Sequence, residues 1–188
     1  QKTAYEMLMS LVGSEMSIRD SPKVCAWLEM QALEFPVAVL SAFRIMATEQ
    51  PQKTALTAAM IAHLVLKPGA HSTESGKASL GMRVMEHLIH MFGQDVDAHY
   101  WRNARLVLHV FVALAPLGVV SSASLRRTIK AFVDVLSSDG VSRDVADPAA
   151  DCVIEAMCRG GTDLIQPEPG ALEALSSARA VSYTHLTL

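Results

Sequence analysis

The chain has 188 residues, 51% of them hydrophobic and 19% charged, and a formal net charge of -3 at pH 7. That is one domain's length with enough apolar material for a real core, which excludes a disordered or fibrous chain. It also excludes the strongly basic balance of a nucleic-acid-binding domain, so any nucleic-acid contact must be local or indirect.

In chain order, Lys2 to Val12 is predicted as a short helix with Tyr5, Leu8, Met9 and Val12 inward. Pro22 opens a second helix at the favoured first position, with Val24, Trp27, Leu28 and Leu33 facing the core. Pro36 starts a third, in which Val39, Leu40, Phe43, Met46 and Ala47 follow the 3.6-residue period. Pro51 stops it and starts a fourth, QKTALTAAMIAHLVL, which ends at Lys67-Pro68-Gly69. The polar loop Lys67 to Ser75 is the expected mobile or contact-making insertion. Helix five is predicted from about Gly76 to Phe92, burying Met82, Met85, Leu88, Ile89 and Phe92.

The rest of the chain is organised around Ala98 to Leu136, predicted as two antiparallel helices joined by a tight turn. The first, AHYWRNARLVLHVFVALA, is apolar almost all round from Ala104, with one polar stripe of Arg102, Arg105 and His109. Such a helix needs neighbours on both sides. Pro116-Leu117-Gly118 breaks it, Ser121 and Ser122 cap the next, and Leu125, Ile129, Phe132, Val133 and Leu136 line one face there. Arg126, Arg127 and Lys130 fall on the other. Asp147 is then read as the cap of helix eight, with Pro148 at its first position and Gly160-Gly161 at its close. After QPEPG comes a last helical segment, ALEALSSARA.

Outgoing helices therefore begin near Lys2, Pro36, Gly76, Ser122 and Gly170, at intervals of 34, 40, 46 and 48 residues, with no strand pattern between them. Antiparallel pairs at this period are the signature of HEAT-type repeats, so the predicted class is all-α: an α-solenoid over residues 1–180, with an irregular helical bundle as the rival. The final VSYTHLTL changes character abruptly and resembles adapter-derived sequence, so residues 181–188 are read as a non-native or disordered tail. With Gln1 first, the chain reads as a fragment without a signal peptide.

Motifs that invite chemistry fail on spacing. SGKAS at Ser75 to Ser79 lacks the phosphate-loop glycine, since His71 stands five before Gly76, and Ala78 follows Lys77 where a hydroxyl is required. Capping helix five explains it better. EHLIH, Glu86 to His90, places His87 and His90 one turn apart without a third metal ligand, and reads as an exposed polar edge. Asp151, Glu155 and Arg159, at four-residue spacing, read as a polar stripe that stabilises helix eight and keeps it soluble. Cys25, Cys152 and Cys158 form an odd set without CxxC spacing, which predicts reduced thiols and no disulfide. Leu106 to Leu125 runs twenty residues without Asp, Glu, Lys or Arg, but Pro116, Gly118 and three serines divide it, so no membrane span is expected. No catalytic, cofactor-binding or metal-ligating residue is assigned. The candidate partner or RNA surface is Arg102, Arg105, Arg126, Arg127 and Lys130.

In helix order and spacing, KTAYEMLMSLVG, VAVLSAFRIMATEQPQKTALTAAMIAHLVL and RNARLVLHVFVALAPLGVVSSASLRRTIKAFVDVL resemble three successive repeats of the HEAT-type middle-domain family of initiation factor 4G. The similarity is greatest to the first such domain in large subunits of nuclear cap-binding complexes, over roughly Lys2 to Ala180. The resemblance implies a non-enzymatic scaffold without cofactors. A small cap-binding subunit, engaged through domains beyond this chain, would hold the cap. The first domain would brace the assembly, meet capped RNA only indirectly, and recruit processing, export and decay factors. The implied localisation is nuclear, with shuttling to the cytoplasm and a targeting segment before Gln1. A translation or decay scaffold of the same superfamily that binds an RNA helicase is the alternative, and a helical enzyme or ligand-binding domain is the rival from another class.

Overall fold

The computed structural model describes residues 21–67, 78–136, 141–161 and 164. Among these residues there are seven α-helices and no strand: α1 Ser21–Glu34, α2 Pro36–Glu49, α3 Thr54–Leu66, α4 Leu80–Asp97, α5 Trp101–Leu114, α6 Ser122–Leu136 and α7 Arg143–Gly160. A 3-10 turn, Pro51–Lys53, leads into α3. The predicted first helix, most of the Lys67 to Ser75 loop, QPEPG, ALEALSSARA and the 181–188 tail lie outside the described residues.

Helix boundaries follow local chemistry. Pro36 and Pro51 each open an element, because a ring that fixes φ and lacks an N–H costs nothing at a first helical position. Ser79 Oγ accepts from Met82 N at 3.3 Å and starts α4, so the hydroxyl end of SGKAS is a cap. That sets the helix at Leu80, later than the predicted Gly76, and it runs on to Asp97. Ser121 Oγ likewise accepts from Ser124 N at 3.1 Å and starts α6. Gly161, at φ +56, closes α7 in a left-handed conformation that a residue with a Cβ resists. Helix α7 begins earlier than expected: Val145 N and Ala146 N bond to Ser142 O, which stands at the cap, so Asp147 and Pro148 lie inside the helix. Pro148 has no N–H to give the Asp144 carbonyl and forfeits one helical bond.

Helix α5 fulfils the expectation of a rod without a wet face. Every residue from Leu106 to Val112 is buried, as are Ala104 and Leu114. Its neighbours are α2, α3, α4 and α7. Alternate helices pack in succession, α1 on α3, α3 on α5 and α5 on α7, while α2 packs on α4. The all-helical fold is compatible with an α-solenoid. The central hairpin is looser than predicted, for α6 lies against α7 and meets α5 through aromatic side chains. Trp101 and Phe132 sit 6.4 Å apart edge to face, and Phe92 of α4 contacts both Phe111 and Phe132.

The core includes Leu28, Phe43, Met46, Met60, Ile61, Leu64, Leu88, Leu108 and Leu114, all fully buried, each worth roughly 1.5–3 kcal/mol by removal from water. Four residues expected inward are not. Leu33 is 88% exposed, because the buried set Val24, Cys25, Leu28 and Ala32 fixes a face from which Leu33 is turned away. In α4 the buried stripe is Gly81, Val84, Met85, Leu88, Met91 and Asp95, so Met82 and Ile89 point outward. A glycine sends no hydrophobic signal, so sequence periodicity started one residue late. Val133 lies at the edge of the α6 stripe and is 41% exposed.

Gly81 has a specific purpose. A Cβ there would stand 2.6 Å from Leu64 C and Val65 N and 2.7 Å from Leu64 O, so α3 and α4 touch backbone to backbone. No described helix is long and apolar enough to cross a membrane, and the apolar run of the central stretch is cut by the turn at residues 115–120.

Candidate functional site

The five basic residues of the expected surface are divided by the fold. Arg105 turns toward α7, where its Nη1 donates to Glu155 Oε1 at 2.9 Å. Lys130 Nζ donates to both Asp134 carboxylate oxygens at 2.6 and 2.8 Å, one turn along α6, and is neutralised in place. Arg126 is half-buried. Arg102 and Arg127 remain exposed and make no ion pair with a described residue. What persists of the predicted basic face is therefore smaller than the sequence count, and an exposed ion pair such as Lys130–Asp134 adds little stability.

Beside Arg102 the α4–α5 turn has an unusual conformation. His99 adopts φ +58 and its ring stacks on Trp101, 5.7 Å between centroids and 9° from parallel. Tyr100 is exposed next to them. Beneath the turn Asp95 is buried, and burial pushes its carboxyl above the usual carboxylate range, against the pull of Arg44 and a hydrogen bond from Asn103. Tyr100 N bonds to Asp95 O at 2.7 Å, which holds the turn closed.

The better-built site lies further along α5, toward its C-terminal end. His109, read as part of the polar stripe of α5, is 2% exposed. Its Nε2 lies 3.0 Å from Glu155 Oε2, off the axis of a well-formed hydrogen bond, and its Nδ1 has no partner. Glu155 thus serves Arg105 and His109 together and ties α7 to α5, which corrects the reading of Asp151, Glu155 and Arg159 as a stripe concerned with its own helix alone. Burial holds the imidazole below its usual range, helped by Arg159 and opposed by Glu155. That lowering favours the neutral form of the ring. With its proton on Nε2, the nitrogen that faces Glu155 Oε2, the neutral ring presents Nδ1 as an acceptor.

Against His109 opens a cavity of about 370 Å³ where the starts of α3 and α6 meet the ends of α5 and α7. Thr54, Ser122 and Arg159 give it polar walls, and Val112 and Pro116 apolar ones. The signal for this site in the sequence is the complementarity of two polar stripes, Arg105 and His109 four apart on one helix and Glu155 and Arg159 four apart on another.

The EHLIH segment does not gather. Glu86 and His90 are exposed, whereas His87 is half-buried, and burial followed by Arg44 lowers its basicity. Among the described residues no group of three His, Cys, Asp or Glu could hold a metal ion. Cys25 and Cys152 are buried thiols pushed up to about 12 and about 11 by burial, unsuited to nucleophilic work, and Cys158 is exposed. Compared with known proteins, the chain matches no family model, and no curated protein is significantly similar to it.

Proposed function

We propose that this chain is a protein-interaction scaffold of RNA metabolism, built as an α-solenoid of the kind that begins the large subunit of nuclear cap-binding complexes, and that it carries no chemistry of its own. The observation that supports the reading is the alternate packing of α1, α3, α5 and α7, with α5 buried from Leu106 to Val112. Helices stacked in this way expose long rigid faces at low conformational cost, which suits holding partners. On this reading the protein acts in the nucleus and shuttles to the cytoplasm. A small subunit binds the cap through domains that follow this one, and processing, export and decay proteins dock on the helical faces. Arg102 on α5 and Arg127 on α6, the latter next to Arg126 in sequence, are the residues through which RNA phosphates would be met.

The test has two arms. Purification of the full-length protein containing this chain from nuclear extract recovers a small cap-binding subunit, whereas the 188-residue chain alone does not. Recovery of an RNA helicase in its place would move the assignment to a translation or decay scaffold. In the second arm, RNA binding by the isolated chain is weak and falls with rising salt, and the double variant Arg102→Gln, Arg127→Gln reduces the salt slope by about two. Absence of RNA binding even at low salt removes the phosphate role and leaves protein contacts only.

A further inference from the structure

We propose that the cavity beside His109 is a binding site for a small organic anion that also carries a hydroxyl, of which an α-hydroxy carboxylate is the simplest. Arg159 would hold the carboxylate and His109 Nδ1 would accept a hydrogen bond from the hydroxyl. This goes beyond the scaffold reading and does not rest on it.

Three observations carry the assignment. The first is the orphaned ring. His109 is 2% exposed and belongs to the cavity wall; its Nε2 lies 3.0 Å from Glu155 Oε2 without a well-aligned hydrogen bond, and Nδ1 meets no partner among the described residues. Buried acceptors without donors are rare in folded proteins, because the lost solvation has no return. A ligand that donates there completes the site.

The second is the charge balance. Glu155 is occupied by Arg105 at 2.9 Å on one oxygen and by His109 at 3.0 Å on the other. The opposite charges of Arg105 and Glu155 cancel. Arg159 lines the same cavity, lies near enough to depress the imidazole, and makes no ion pair with a described residue. Among the described residues the cavity therefore carries one uncompensated positive charge, which disfavours a cation and favours an anion whose two oxygens match the guanidinium fork.

The third is shape and lining. About 370 Å³ is too large for a single water and suits a small acid with a carbon body. Val112 and Pro116 supply apolar walls for that body, and Ser122 a further hydroxyl. Thr54 cannot serve Nδ1, because its hydroxyl proton already goes to Pro51 O at 2.7 Å.

The experiment uses the full chain labelled with nitrogen-15. Long-range proton–nitrogen spectra follow the His109 ring, assigned by its loss in His109→Gln. Three probes are titrated: mandelate, phenylacetate, which lacks the hydroxyl, and mandelamide, which lacks the charge. Mandelate should shift Nδ1 saturably, phenylacetate should bind about tenfold more weakly for want of one hydrogen bond, and mandelamide should give no saturable shift. Arg159 is exposed, so Arg159→Gln should keep the wild-type melting temperature while weakening mandelate at least about tenfold. His109→Gln, read through backbone amides, should erase the preference for mandelate over phenylacetate. No saturable shift with mandelate, equal affinity for all three probes, or an unaltered Arg159→Gln would overturn the proposal and leave Nδ1 to an ordered water.

Discussion

Adding one methyl group at Gly81 should weaken the protein, whereas adding one at Gly93 should strengthen it. Both glycines lie in α4, so both exchanges to alanine carry the helix-propensity gain of up to about 1 kcal/mol. Gly93 is exposed and a Cβ there meets nothing within 4 Å, so the gain is all that remains. At Gly81 the new carbon would stand 2.6 to 2.7 Å from three backbone atoms of Leu64 and Val65, against an ordinary contact of 3.4 Å or more. Relief requires α3 and α4 to part by about 0.8 Å at that point. A gap of that size forfeits a quarter to a half of the local dispersion energy, and overpacking of this kind costs about 1–3 kcal/mol. The smaller propensity gain near the helix start does not offset it. Urea denaturation followed by circular dichroism should place Gly81→Ala about 1–3 kcal/mol below wild type. Gly93→Ala should lie up to about 1 kcal/mol above. For a chain of this size the first is a fall in melting temperature of roughly 2–4 °C per kcal/mol. If Gly81→Ala proved as stable as wild type, the backbone-to-backbone approach of α3 and α4 would be refuted.

Other measurements probe the helix-joining contacts and the thiols. His109 has a lowered folded-state basicity, so between its folded value and the unfolded value of about 6.5 the unfolded chain binds more protons. Stability relative to His109→Gln should therefore decline as pH falls through about 6.5 and level off below the folded value; a flat difference between about pH 7.5 and 5 would contradict the neutral buried imidazole. Comparison at equal pH cancels the contribution of Asp95, whose raised value acts in the opposite direction. A double-mutant cycle on Arg105→Gln and Glu155→Gln should return a coupling of about 0.5–1 kcal/mol, modest because the side chains are 34% and 40% exposed. Titration with a thiol reagent should modify Cys158 in the native protein and all three cysteines only after denaturation; rapid native labelling of Cys25 would refute its burial.

Much of the helical order was legible because punctuation is local. Pro36, Pro51, Ser79, Ser121 and Gly161 each act through their own backbone or the next turn, and each stands at a boundary. The interior character of α5 was legible too, since a run from Leu106 to Val112 interrupted only by His109 cannot face water. Faces were harder. The α4 stripe begins on a glycine and ends on Asp95, two residues that hydrophobic periodicity does not count. The α7 start was misplaced because Pro148 offered a strong local signal, while Ser142 captured the chain a turn and a half earlier. The His109 site was invisible for a different reason. Arg105 and Glu155 are fifty residues apart, and nothing local distinguishes an arginine that meets water from one that meets a distant carboxylate. His109 was counted with the polar side of its helix for the same reason.

That α5 is walled by α7 sets how short a self-sufficient piece of this protein can be. Removing everything from residue 143 onward would open the Arg105 and His109 side of a greasy rod to water and strip both residues of their shared carboxylate. A truncated product of that kind should aggregate rather than remain as a smaller soluble unit, so expression trials seeking a minimal version must carry the chain through Gly161.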